Sequence, residues 1–152
     1  MDHTYVFGYG SLMNEESLQK TLPGKHSTSW AILNGYKRAF NKAGRKNHRY
    51  LNIKQEPNSK VEGVLVEVTQ EEFEELKKRE HGYNAIDVTN KLESKPLGNT
   101  AVYAFAAAAS SLGGLKVSRK YLDTVLAALP PEKQAQWIQE TDFEGAQIDE
   151  DA

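Results

Sequence analysis

Cysteine is absent from the 152-residue chain. That absence excludes disulfide frameworks, thiolate nucleophiles and cysteine-ligated metal sites together. Neither sign of charge is in excess: 19 basic and 21 acidic residues leave a net charge of −2. Such a balance creates no global field toward nucleic acid or an anionic membrane, and neither is expected as a partner. Long hydrophobic runs are missing too. The most apolar stretch, 101–109, is too short and too rich in small residues to cross a bilayer. The start, Met1-Asp2-His3-Thr4-Tyr5, is neither basic nor followed by a long apolar segment, so no secretory leader is read there. A cytoplasmic location is the expectation that follows.

What is present is an ordinary globular composition, 39% hydrophobic and 26% charged, at a length that suits one domain with a single core. Tyr5 to Tyr9 reads as a short aromatic strand ended by glycine, and Asn14 before Glu15-Glu16 caps a helix running to about Lys20. Thr28 to Phe40 reads as a strand leading into a basic, glycine-containing loop. Tyr50–Lys54 and Val61–Val68 read as two strands separated by a turn at Glu56-Pro57-Asn58-Ser59. Thr69 with Glu72 forms a capping box for a helix to about Arg79. Tyr83–Leu92 and Thr100–Ala106 read as returning strands, Lys120–Leu129 as an amphipathic helix, and Pro131 as the start of a short last helix. Strands dispersed among helices without regular βα alternation imply an α+β domain, with a curved or barrel-like mixed sheet flanked by helices. The domain is expected over 1–139, followed by an acidic tail over 140–152 that frays.

The densest signal is Phe7-Gly8-Tyr9-Gly10-Ser11-Leu12-Met13. Two glycines let the backbone approach a ligand and turn its amides inward, and a helix start just beyond favours an anion such as a carboxylate. A dinucleotide fingerprint would need glycine where Met13 stands, and a phosphate loop would need Gly-Lys-Ser/Thr. No G-x-S-x-G elbow surrounds Ser11, and the four histidines are scattered. On composition alone, a plain glycine turn accounts for this loop equally well.

The string Tyr9-Gly10-Ser11-Leu12-Met13, close behind an aromatic strand near the start, resembles the signature loop of the γ-glutamylcyclotransferase-like family. Leu76-Lys77-Lys78-Arg79-Glu80-His81-Gly82-Tyr83 resembles the stretch that carries the family's catalytic glutamate. Val61-Glu62-Gly63-Val64-Leu65 resembles the strand before it, and Ser118-Arg119-Lys120-Tyr121-Leu122 the opening of its late helix. The likeness runs in order from about Tyr5 to about Ala128. It implies intramolecular aminolysis of a small γ-glutamyl compound to 5-oxoproline, with Glu80 as general acid and base. It also implies Tyr9, Gly10, Ser11, Leu12, Tyr83 and Tyr121 as substrate-binding residues, and chemistry that needs no metal or cofactor. The spacing from Glu80 to Tyr83 is more compact than in some relatives, and the leaving group is not specified. Alternatives are a relative acting on a γ-glutamylated biosynthetic intermediate or γ-glutamylamine, and a non-catalytic module binding γ-glutamyl or carboxylate ligands.

The residues themselves favour Glu80 among the acids. Glu71, Glu72, Glu74 and Glu75 lie within a helix as a solvated face, whereas Glu80 falls where the helix gives way to Gly82 and a new strand. A capping or exposed role is the bland account of Glu80. His81, adjacent to it, points elsewhere. Lys37, Arg38, Lys42, Arg45, Lys46 and Arg49, interleaved with Tyr36, Phe40 and Tyr50, read as a solvated loop rather than a nucleic-acid stripe. Tyr121 is equally a core tyrosine with its hydroxyl satisfied. Asn41 and Asn52 carry no signal beyond that of turn and strand residues.

Overall fold

A computed structural model describes residues 2–96, 98–110 and 112–152. Strand β1 (Asp2–Gly8) is central, antiparallel to β3 (His48–Val68) and parallel to β5 (Asn99–Ala106). Strand β4 (Asn84–Asp87) lies on the outer edge of β5. Strand β2 (Thr28–Ala43) runs antiparallel along β3. The other end of β3 pairs with β6 (Lys116–Ser118), which pairs with β7 (Ile148–Asp149). Helices α1 (Glu15–Thr21), α2 (Gln70–Arg79), α3 (Arg119–Ala127) and α4 (Pro131–Glu140) complete an α+β fold with a mixed sheet.

Alternation along the central strands explains how helices cover both faces. Val6 and Val66 face one way and pack with Leu18 of α1 and Phe73 and Leu76 of α2. Phe7 and Leu65 face the other way, toward Leu122 and Val125 of α3 and Trp137 of α4. The expected alternation of Val64, Val66 and Val68 is thus present, but Leu65 between them is buried as well. Gly63 makes the close approach that seats β1. A Cβ there would stand 2.4 Å from the Gly8 carbonyl oxygen and 2.7 Å from Cζ of Phe7.

Four expectations need correction. Tyr50–Lys54 and Val61–Val68 belong to one strand, because the turn residues Glu56–Ser59 do not reverse the chain. The register passes from Asn34↔Lys60 to Tyr36↔Gln55, so these four residues bulge opposite Gly35, whose φ of 82° suits glycine. The basic stretch is not a solvated loop. It forms the end of β2, a 3-10 turn at Arg45–Asn47 and the start of β3. Within it Arg38 and Arg49 are buried, and the Arg45 side chain lies outside the described atoms. Arg38 Nε donates to Thr141 Oγ1 at 2.9 Å and Arg49 Nε to the Leu115 carbonyl at 2.9 Å. Burial pushes the Arg38 guanidinium down to about 10, opposed by Glu140 and Glu62. The segment 83–92 holds only the short β4 and a 3-10 turn at Thr89–Lys91. The acidic tail, finally, is docked rather than frayed. Asp142 pairs with Lys54 at 2.9 Å, β7 joins β6, and the Ala152 carbonyl accepts from Lys120 N–H at 2.8 Å and Ser118 Oγ at 3.0 Å.

Candidate active site

Behind β1 the chain enters a 3-10 turn at Ser11–Met13, closed by Met13 N–H to the Gly10 carbonyl at 3.0 Å. Helix α1 therefore starts one turn later than a direct loop-to-helix junction would place it. Its cap is Asn14, whose side chain accepts from Ser17 N–H at 3.1 Å. The amides available to a ligand are thus those of Ser11 and Leu12, which open a 3-10 turn and have no acceptor within it. Gly10 is held close: a Cβ there would lie 3.1 Å from the Tyr121 hydroxyl and 3.2 Å from Leu51 Cδ1.

Glu80 is the C-cap of α2, and its N–H still donates to the Leu76 carbonyl at 2.8 Å. A four-residue turn follows, closed by Tyr83 N–H to the Glu80 carbonyl at 3.0 Å, with Gly82 at φ 89° in its third position. The turn brings the Tyr83 ring back beside Glu80 and leaves His81 exposed. Together Phe7, Tyr9, Gly10, Ser11, Leu12, Leu51, Glu80, Tyr83, Phe105 and Tyr121 line one narrow cleft. Its volume is ≈ 330 Å³ counted to the open mouth. All seven residues singled out from the sequence line it.

The electrostatics of the cleft are unusual for a carboxylate. The Glu80 side chain is 18% exposed, and burial raises its pKa above the ordinary range, partly opposed by the Arg79 guanidinium. The three phenols are pushed up as well, first by burial. Each also feels the negative charge of Glu80. They remain protonated throughout the neutral range. Tyr9 donates to the Phe105 carbonyl, and Tyr83 to the Leu51 carbonyl at 2.6 Å. The Leu51 backbone also hydrogen-bonds the Tyr121 hydroxyl. Among the described residues Glu80 is the one carboxyl lining this cleft, and burial raises its pKa.

Residues 6–123 match the family model described as Gamma-glutamyl cyclotransferase, AIG2-like. The chain belongs to this family. No curated protein matches it. Among solved structures, one named Gamma-glutamyl cyclotransferase superposes with a TM-score of 0.74 at 17% identity, covering 98% of this chain and 95% of its own. A human protein described as uncharacterized gives 0.73 at 18% identity, covering 99% and 96%. YkqA from Bacillus subtilis gives 0.69 at 18% identity, covering 97% of this chain and 56% of its own. At these identities the structures establish the shared fold.

One residue beside this cleft of the cyclotransferase-family chain went unread in the sequence. Arg79 donates to Ser11 Oγ at 3.2 Å, Ser17 Oγ at 2.6 Å, the Ser17 carbonyl at 2.7 Å and Thr21 Oγ1 at 3.3 Å. Its Nε lies 3.9 Å from Glu80 Oε1. One guanidinium thus ties the glycine loop and α1 to the turn carrying Glu80. Nothing in Lys77-Lys78-Arg79 distinguishes it from the basic residues that complement any helix C-terminus. Asn41 and Asn52 pin backbone, as strand residues do: Asn52 Nδ2 donates to Asn41 Oδ1 at 2.8 Å and to the Ala107 carbonyl at 2.7 Å. Glu72 completes its capping box and pairs with His26, while Glu71, Glu74 and Glu75 are exposed.

A roomier hollow, ≈ 790 Å³ counted to its open mouth, lies beyond Leu12 between Gln19, His26, Trp30 and Val64. It is larger than the Glu80 cleft, but its chemistry is poorer. Its carboxylate, Glu15, is exposed, and of the His26 imidazole Nε2 is taken by Glu72 while Nδ1 is buried without a partner among the described residues. Among the described residues no group of three potential ligands is placed to hold a metal ion, and no helix is long and apolar enough to cross a membrane.

Proposed function

We propose that the protein is a γ-glutamylcyclotransferase, converting a γ-glutamyl compound into 5-oxoproline and a free amine or amino acid. The observation that carries this reading is the half-buried carboxyl of Glu80 in a cleft lined by three tyrosines, raised by its surroundings beside phenols that stay protonated. A binding module for carboxylates gains nothing from a buried acid beside its ligand.

The chemistry asks for few groups. The substrate's α-amine attacks its own γ-carbonyl carbon, a carbon–nitrogen bond forms, and the carbonyl electrons move onto oxygen. Collapse expels the original amide nitrogen and closes a five-membered lactam. Glu80 takes the proton from the attacking nitrogen and delivers it to the departing one, so the carboxylate is regenerated. Nucleophile and electrophile share one molecule, so holding a near-attack geometry supplies effective molarities of about 10⁵–10⁸ M. The amides of Ser11 and Leu12 serve the substrate's α-carboxylate or the developing oxyanion. Tyr9 and Tyr83 commit their protons to backbone carbonyls, which leaves the Tyr121 hydroxyl proton for substrate. No step calls for a cofactor.

The test is incubation with glutathione, a γ-glutamyl amino acid and a γ-glutamylamine, with release of 5-oxoproline as readout. At least one is cyclised, and its N-acetylated form is not, because the nucleophile is blocked. Cleavage of the acetylated compound at a comparable rate identifies a hydrolase using water and overturns the reading.

A further inference from the structure

Against Tyr83, one of the rings lining the cleft, stands a cation that the reaction just described does not use. Lys42, near the end of β2, is half-buried and has no carboxylate partner among the described residues. Its Nζ donates to the Ala43 carbonyl at 3.0 Å and stands 5.7 Å from the centre of the Tyr83 ring. Gly82 is what lets it in: a Cβ there would lie 3.2 Å from Nζ and 3.4 Å from Cε. In the β2–β3 ladder Lys42 is opposite Tyr50, whose ring packs edge-on against Tyr121 at 5.0 Å. The ammonium is thus accommodated by the same turn that carries Glu80, beside a ring that lines the cleft and a second, Tyr50, that touches one.

Half-burying an ammonium without a counter-ion is unfavourable, and a carbonyl and a ring face offset that only in part. Glu80 does not neutralise it, since the charge acting on Glu80 is that of Arg79. The protein as a whole carries a charge of −2, so this cation is a local arrangement, not part of a basic surface. Its neighbours hold it in place before any ligand arrives, which lowers the cost of ordering a long side chain. With Glu80 set against the nitrogen that departs, the leaving group extends outward past Tyr83. In that direction a carboxylate one carbon from the nitrogen approaches the Tyr83 ring, against which Lys42 stands.

We propose that Lys42 is a specificity residue that receives a carboxylate on the leaving group, so that the cleft prefers γ-glutamyl amino acids over γ-glutamyl compounds lacking that charge. The inference rests on the cyclotransferase reading of the Glu80 cleft. It is tested with γ-glutamyl-alanine and γ-glutamyl-alaninamide, which differ only in the leaving-group carboxylate, on wild type, Lys42→Met and Lys42→Arg. A charge-assisted contact of this kind corresponds to a preference of about ten- to a hundred-fold in kcat/KM, carried mainly by KM. Wild type shows that preference, Lys42→Arg keeps most of it, and Lys42→Met brings the two compounds to within about threefold of each other. Equal use of both compounds by wild type overturns the proposal. So does an equal loss on both in Lys42→Met, which would place Lys42 on the glutamyl moiety instead. Absence of 5-oxoproline from both compounds, while wild type cyclises glutathione or a γ-glutamylamine, also overturns the proposal and leaves the cyclotransferase reading standing; absence from every γ-glutamyl compound removes that reading and the role of Lys42 with it.

Discussion

Gly63→Ala should damage the protein out of proportion to the single methyl it adds. That methyl would sit 2.4 Å from the Gly8 carbonyl oxygen and 2.7 Å from Phe7 Cζ, both closer than carbon approaches such atoms without displacement. The oxygen is backbone and Phe7 is fully buried, so no flexible side chain can yield. The strands must separate locally, against the pairing of Gly8 with Val64 and Phe7 with Leu65. Overpacking of this kind costs about 1–3 kcal/mol, and the rigidity of both neighbours puts this case at about 3. For a chain of this size that is a fall of about 6–12 °C in Tm. Gly8 lies two residues before Gly10, so a shift of β1 carries into the loop, and a misplacement of about 1 Å costs about a hundredfold in turnover. Thermal unfolding by circular dichroism and 5-oxoproline release measure the two effects. A Gly63→Ala protein within about 0.5 kcal/mol of wild type and fully active would show that β1 and its loop are not held as described.

At Gly10 the added contacts are milder, 3.1 Å and 3.2 Å, but they involve Tyr121 and Leu51 in the cleft itself. Gly10→Val should therefore fold and lose substrate binding, while Ser11→Ala, which removes one of the four acceptors of Arg79, should be mild; calorimetric titration of a γ-glutamyl compound separates them. Arg79→Met removes those contacts at a cost of about 2–3 kcal/mol. It also removes the charge that lowers Glu80, so the acid limb of the kcat/KM profile should move to higher pH, with Arg79→Lys intermediate. Burial raises Glu80 in the folded state, so between its unfolded pKa of about 4.3 and the higher folded value the native protein binds more protons than the unfolded chain. Stability from this group is present below the unfolded pKa and is lost as pH rises through the folded one. Glu80→Gln should then raise Tm at pH 7–8 and lose that advantage below about pH 4, as a thermal melt series would show.

Much of the cleft was legible because its parts are local. The capping box of Thr69 and Glu72, the end of α2 at Arg79 and the Gly82 turn place Glu80 and Tyr83 within one four-residue reversal. The resemblance then linked that turn to Tyr9–Leu12 and Tyr121, which local physics could not connect. What was misread depended on distant partners. Glu56–Ser59 carries real turn chemistry, yet whether such residues reverse a chain or bulge from a ladder is decided by β2 pairing on both sides of them. Arg38 and Arg49 look like solvated charges until Thr141 and the Leu115 carbonyl arrive from far along the chain. The tail likewise looks too acidic to pack, but Lys54 and the edge of β6 give it a place. Arg79 looked like any basic residue at a helix end and Lys42 like one of a solvated run, since what sets them apart comes from what the fold places against them.

The most direct test of the account is single-turnover formation of 5-oxoproline by Glu80→Gln beside wild type, on whichever γ-glutamyl compound wild type cyclises. The variant keeps the size of the side chain and most of its hydrogen bonds but cannot accept the proton of the attacking amine. It should fold, bind substrate with similar affinity, and react about a hundred- to ten-thousand-fold more slowly. A Glu80→Gln protein that retains more than about a tenth of the wild-type rate would contradict the assignment of Glu80 as the base.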